Sequence, residues 1–450
     1  MSFTNSLFLI GLLPPFVFIY VLSAKSRNLR TALLALANMV FLIFGGIYSL
    51  IALLIESLLA YLFAKSLLKR QSRTKLLIFA GILLLPLFVY KLFSALAINA
   101  IGILGISFFT FEAVSLVADA YNLKYRELDY GDVLLYLTFF VTITSGPIIR
   151  FPSFRKSLDS CSVDLNAGIE RFAIGLCKKL LLADKLAILA DYYFDGVAIG
   201  LELSSLGLII GSIAYSLQLY YDFSGYSDMA IGIGHMLGFD IIENFKQPYK
   251  AKGIQDFWHR WHISLSEWLR DYIYIPLGGN RVSPGRHIFN IMVVWALTGL
   301  WHGAAWNFVI WGIYYGVLLL IEKYFLQKFL SRIPTVFGWI YTIIIVMTGW
   351  VFFFSPTLGS AAGYLKIMVG IGANGLADRE SIFLLVTNAV LWILAAAGSA
   401  PYVHRLYERV IYGGKKIRTG LNCMVYAALF LLCVAYLVSA SYNPFLYFRF

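Results

Sequence analysis

His302 stands inside an apolar run, LTGLWHGAAWNFVIWGIYYG (residues 297–316), with Trp301 before it and Gly303, Ala304 and Ala305 after it. A neutral imidazole in an apolar pocket is a good general base, because desolvation keeps it unprotonated near neutral pH. The small residues beside it leave room for backbone or ligand to approach. The competing reading is a histidine that only satisfies a polar contact between helices.

A second segment, FWHRWHISLSEWLRDYIYIPLGGNR (257–281), is richer in polar groups. As a helix it gathers Trp258, Trp261, Leu265, Trp268 and Leu269 on one face, at steps of three and four. His259 and His262 share a neighbouring face, and Arg260, Glu267, Arg270 and Asp271 form a polar stripe. Pro276, Gly278 and Gly279 break the helix and expose backbone N–H groups. An interfacial amphipathic helix with snorkelling Arg and belt Trp would have the same pattern. His259-x-x-His262 lacks an HExxH motif, a Cys pair or a carboxylate cluster to complete a ligand set, so no metal site is expected.

A third segment, YYDFSGYSDMAIGIGHMLGFD, puts Asp222, Asp228, His235 and Asp240 in or beside apolar sequence. Carboxylates at membrane depth are costly and are usually functional or paired. Gly232, Gly234 and Gly238 have no βαβ context for dinucleotide binding and read as helix-packing residues. The four cysteines show no CxxC spacing and read as buried small residues. No phosphate loop, GxSxG elbow or kinase set is present.

These segments need a scaffold, and the composition says which kind. The chain has 450 residues, 60% hydrophobic and only 13% charged. That excludes a soluble enzyme, a disordered chain and a disulfide-rich module, and leaves an all-α, polytopic membrane protein. The net charge of +12 sits mostly in short segments between apolar runs. It therefore reads as cytoplasmic loops rather than as a nucleic-acid surface. MSFTNS has no Lys or Arg, so Leu7–Leu22 reads as a retained span rather than a cleavable signal.

Apolar stretches recur along the chain, and their lengths predict about 11 transmembrane helices plus re-entrant or amphipathic pieces, with a tunnel or funnel through the core. One membrane domain, 1–450, is expected. Its 245–287 segment would be polar and re-entrant or in-plane, and 422–450 would be a C-terminal span and tail. Lys25, Arg27 and Arg30 precede the pair of runs at 31–64, and Lys65, Lys69, Arg70, Arg73 and Lys75 follow it. Both clusters belong on the cytoplasmic side.

The segments GISFFTFEAVSLVADAY (105–121), FFVTITSGPIIRFPSF (139–154), YSLQLYYDFSGYSDMAIGIGHMLGF (215–239), 257–281 and the Trp-His-Gly run stand in an order that resembles the membrane-bound O-acyltransferases, within them the bacterial alginate O-acetyltransferase branch. The resemblance implies that His302, in the Trp-His-Gly motif, is catalytic, and that His262, in Trp-His-x-Ser-Leu, is the second family histidine. His259 stands where relatives more often have Arg and inherits no role. WVFFFSP (350–356) has Phe354 or Ser355 where relatives usually have Arg. The tail PFLYFRF resembles that of the partner peptide in teichoic-acid D-alanylation, which makes Tyr447 a candidate acyl-relay or acceptor hydroxyl, the alternative being an interfacial aromatic anchor.

The activity implied is transfer of an acetyl group from a cytoplasmic thioester, acetyl-CoA, across the bacterial inner membrane to an envelope polysaccharide. The acceptor would be reached directly or through an extracytoplasmic acetyltransferase partner. No bound cofactor is implied, and membrane lipid is the remaining partner. His262 or the backbone at Gly278–Gly279 would steady the oxyanion or orient the acceptor. Trp258, Trp261, Ser264, Trp301, Asn307, Asp222 and Asp228 are candidates for lining the tunnel. The alternatives are D-alanyl or other acyl transfer, a transporter or flippase of an envelope precursor, and a secretion scaffold.

Overall fold

A computed structural model of the chain describes residues 3–96, 102–399 and 417–439. The regular structure of the described residues is helical, and their one β feature is an isolated antiparallel bridge between Phe245 and Trp261. Among the described residues five helices are long and apolar enough to cross a membrane: Arg27–Phe44, Ile47–Lys69, Arg73–Ser94, Trp306–Leu330 and Thr335–Phe354. The pair Arg379–Thr387 and Ala389–Ser399, bent by 64°, makes a sixth if it is one span.

This corrects the expected 11 spans, and burial by protein explains the excess. Length and hydropathy predict a lipid-facing span for each apolar run, but several are covered by other parts of the chain. Residues 133–149 are an apolar stretch of the sequence, but the helix Tyr130–Leu137 ends inside it. Residues 138–149 are irregular and wholly buried, as non-helical backbone must be when water cannot satisfy it. Residues 168–190, another apolar stretch of the sequence, pass through Leu165–Cys177, a π-helical turn at Lys178–Ala183 and Asp184–Ala198.

Ser205–Leu237 is a 33-residue helix with nearly every side chain buried, so its sequence carries polar groups that a lipid-facing span could not. It packs closely on Leu165–Cys177. A Cβ on Gly168 would fall 2.7 Å from the Gly232 carbonyl oxygen, and one on Gly175 would fall 2.5 Å from that of Gly225. Small residues allow this approach of two helix backbones. Gly232 thus serves packing, while Gly238, at φ +79°, ends the helix in the left-handed conformation.

The buried side chains form two apolar cores. One gathers the N-terminal helices with Tyr226, Leu265, Trp268 and Trp301. The other gathers Phe223, Phe257, Trp261, Trp295, Trp311 and Trp350. The seam between them crosses the long helix between Phe223 and Tyr226, the polar segment between Trp261 and Leu265, and the 284–302 helix between Trp295 and Trp301. His262 and His302 lie on this seam.

Candidate active site

The 257–281 segment is not the single helix its aromatic spacing suggested. Ile254–Trp258 and Ile263–Leu269 are helical, and a π-helical turn follows at Arg270–Tyr274. Between the two helices the chain pairs with a distant strand of backbone. The Lys246 N–H donates to the Arg260 carbonyl at 2.9 Å, and the Ile263 N–H to the Asn244 carbonyl at 3.0 Å. This pairing satisfies groups that a continuous helix would have used, and it sets His262 at φ +46°. A left-handed residue ends one helical direction and starts another, so the imidazole leaves the aromatic face.

Asn244 holds that imidazole. Its Oδ1 lies 3.2 Å from His262 Nδ1, 3.1 Å from the Ser264 N–H and 3.0 Å from Ser264 Oγ. A backbone N–H can only donate, so the asparagine atom it meets is the oxygen. The same oxygen then accepts from Nδ1–H of His262, which leaves Nε2 with the lone pair of the neutral ring. Ser264 Oγ also accepts from the Ile148 N–H at 3.0 Å, tying the site to the irregular 138–150 stretch. Beyond this network, the His262 ring meets Phe223 edge-on, with centroids 4.7 Å apart.

His302 is the last residue of the helix Pro284–His302. The turn after it is held by close helix contact. A Cβ on Gly312 would fall 2.3 Å from the Trp295 carbonyl oxygen, and one on Gly299 would fall 2.5 Å from that of Phe308. The His302 ring is 5% exposed and packs against Trp301, Trp311 and Phe353 at centroid distances of 4.7, 5.1 and 5.1 Å. Trp301 also approaches His262, at 6.2 Å. The Lys91 ammonium donates to the His302 carbonyl at 3.3 Å.

Two cavities share His302 in their walls. The larger, about 640 Å³, is lined by Trp258, Trp261, His262, Trp311, Trp350 and Phe353, and by polar groups that include Lys246, Arg270 and Lys323. The smaller, about 280 Å³, is lined by Lys91, residues 102–108, Thr144, Trp301 and His302. Gly105 makes its wall possible: φ is +76°, and a Cβ there would meet the Ile143 carbonyl oxygen at 2.3 Å.

The fold thus brings His302, His262, Trp258, Trp261 and Trp301 to these cavities. Ser264 stands behind His262 as a hydrogen-bonding support. Asn307 donates to the Ser355 carbonyl at 3.0 Å and fastens two helices. Asp222 accepts from Lys179 at 2.7 Å. Asp228 is paired with Arg171 at 2.7 Å and Lys178 at 2.6 Å. Neither carboxylate lines either cavity. At the motif's departure from relatives, Phe354 packs against Phe194 at 4.4 Å. Tyr447 lies outside the described residues.

Sequence reading missed Asn244, Lys91, Trp311 and Phe353. Lys91 carried a signal: it is a lone cation in an apolar run. Asn244 carried none, because its role depends on backbone pairing across the segment. Among the described residues no group of three or more His, Cys, Asp or Glu could hold a metal ion.

The family model of the membrane-bound O-acyltransferases matches residues 31–357, and the chain belongs to this family. It is an acyl-transferring enzyme, a multi-pass protein of the bacterial inner membrane that moves an acyl group across it. It is 32% identical to a protein of Azotobacter vinelandii described as "Probable alginate O-acetylase AlgI", with 100% of each chain covered. It is 38% identical to a peptidoglycan O-acetyltransferase of Helicobacter pylori, over 61% of this chain and 58% of that one. A teichoic acid D-alanyltransferase of Bacillus subtilis is 31% identical over 61% of this chain and 73% of its own.

Proposed function

We propose that the enzyme carries acetyl from acetyl-CoA to a hydroxyl of an extracytoplasmic envelope polysaccharide, directly or through an extracytoplasmic acetyltransferase partner. The observation that carries this reading is that His302 forms part of the wall of two cavities. Helix direction supports assigning them to opposite sides. Arg27–Phe44, Ile47–Lys69 and Arg73–Ala95 have Arg27, Lys69 and Arg73 at one end, and Gly45 and Lys91 of the smaller cavity lie towards the other. The basic end is cytoplasmic.

The larger cavity then receives the donor, and Lys246, Arg270 and Lys323 attract its phosphates. The acceptor enters the smaller one. His302 takes the proton of the acceptor hydroxyl, whose oxygen attacks the thioester carbonyl carbon. The C–S bond breaks as the tetrahedral intermediate collapses. The thiolate leaves with the imidazolium's proton, giving an acetyl ester and free CoA. Aromatic walls exclude the water that would hydrolyse the thioester.

His262 lines the donor cavity, and with its proton on Nδ1 and a lone pair on Nε2 it suits accepting a hydrogen bond there rather than donating to an oxyanion. Gly278 and Gly279 line neither cavity, and their N–H groups donate to the Ile275 and Tyr274 carbonyls at 2.9 Å each, so no oxyanion role is assigned to them.

The test is purified protein in liposomes given labelled acetyl-CoA on the cytoplasmic face. CoA release and acetyl-ester formation should both depend on His302. Wild-type turnover by His302→Ala, or turnover only with a carrier-bound D-alanyl donor, would overturn the reading. Linkage analysis of envelope polysaccharide, with and without the gene, identifies the acceptor.

A further inference from the structure

In the π-helical turn Glu322–Leu326 three consecutive side chains find partners on other helices. Glu322 accepts from the Ile254 and Gln255 N–H groups. Lys323 and Tyr324 both reach His287 on the facing helix, at 2.9 Å each, one at either ring nitrogen. The wider turn sets successive side chains closer together around the axis, and such turns are frequent at functional sites. An ammonium has only hydrogens to offer, so His287 Nε2 is the acceptor and Nδ1 carries the ring proton towards the tyrosine oxygen. The imidazole is buried, so it holds Lys323 in place as a neutral acceptor and leaves its charge intact.

Lys323 lines the larger cavity, and among the described residues no carboxylate lies in ion-pair range of it. Arg270 on the same wall is engaged by Asp271 at 2.8 Å. One N–H of the Lys323 ammonium goes to His287, which leaves two for an anion.

The position of this ammonium along the cavity fits one kind of donor. Trp311 packs against the His302 ring, and Lys323 follows it by twelve residues on the same helix, about 18 Å at helical rise. His287 precedes His302 by fifteen residues on the facing helix, about 22 Å. In a pantetheine thioester about thirteen bonds separate the sulfur from the first phosphorus, roughly 16 Å when extended. A thioester carbon at His302 therefore brings that phosphorus to Lys323.

We propose that Lys323 binds the phosphate at the end of the donor's pantetheine arm, and that His287 is the positioning residue that holds the ammonium there, so that the arm delivers the thioester to His302. This rests on the reading that the larger cavity receives acetyl-CoA.

The test uses three donors: acetyl-CoA, S-acetyl-4′-phosphopantetheine and S-acetylpantetheine, which has no phosphate. Each is measured for equilibrium binding to the full-length His302→Ala protein, which needs no acceptor, and for His302-dependent thiol release by protein with His302 intact. The phosphorylated arm should be favoured over the bare one by about tenfold or more, as for one charge-assisted hydrogen bond. Lys323→Gln should bring that ratio close to one. His287→Leu should lower it by about two- to tenfold, the cost of ordering one long side chain on binding. His287→Gln, whose amide oxygen can accept from the ammonium, should keep most of it. The ratio is internal to each variant, so a general loss of folded protein does not move it, and a merely structural role for His287 would weaken all three donors alike. Equal handling of the phosphorylated and bare arms, a preference confined to acetyl-CoA, or an unchanged ratio in Lys323→Gln or His287→Leu would overturn the proposal. The reading beneath it fails separately, by thiol release from acetyl-CoA that does not depend on His302.

Discussion

Replacing Asn244 with alanine should cost activity and stability by separable amounts. One oxygen, Oδ1, accepts from His262 Nδ1, the Ser264 N–H and Ser264 Oγ. All three partners are buried, with His262 2% and Ser264 1% exposed. Ser264 Oγ keeps a partner in the Ile148 N–H. The Ser264 N–H does not, and leaving one buried donor unpaired costs roughly 1–3 kcal/mol. The His262 ring loses the acceptor that fixes its tautomer and tilt. By analogy with the orienting partners of metal-bound imidazoles, that loss is on the order of 10–100-fold in kcat.

Asn244→Asp keeps an acceptor for all three groups and should recover more of kcat than alanine does. The assay is acetyl transfer from labelled acetyl-CoA in detergent, with kcat and the KM for donor measured separately, alongside thermal unfolding of the same preparations. The expected pattern is a fall in kcat with little change in donor KM. If Asn244→Ala unfolds earlier but turns over within twofold of wild type, His262 does not need this partner and the positioning argument is wrong.

Other perturbations should read out other parts of the structure. His302→Ala should abolish acetyl transfer while the protein inserts and purifies normally, as labelled-donor assays and size-exclusion profiles will show. Asp228→Leu leaves Lys178 without its carboxylate while Arg171 keeps Glu243 at 2.7 Å, and should lower the thermal unfolding temperature. Gly312→Val drives a side chain against the Trp295 carbonyl and should spread the two helices that present His302, lowering both yield and kcat. Glu322→Ala removes the acceptor of the Ile254 and Gln255 N–H groups, at 2.6 and 3.1 Å, and should loosen the short helix carrying Trp258. An increase in donor KM would report it.

The sequence alone determined that this is a helical membrane protein, because its charged fraction cannot cover a water-facing surface. It also singled out His302, since a histidine in apolar sequence is costly and stands out in one dimension, while His262 was marked by the resemblance of its Trp-His-x-Ser-Leu motif. It did not determine the number of spans, because hydropathy cannot distinguish a segment facing lipid from one facing protein. The 33-residue Ser205–Leu237 helix and the irregular backbone at 138–149 are buried by neighbours that only folding supplies. The break at His262 was hidden for the same reason: its helical spacing is genuine, but backbone pairing with residues 244–246 overrides it. Tertiary structure alone placed Asn244 behind the His262 imidazole and Lys91 on the His302 carbonyl, and put Asp222 and Asp228 into ion pairs away from both cavities. Those assignments depend on contacts between residues far apart in the chain, formed where two apolar cores meet.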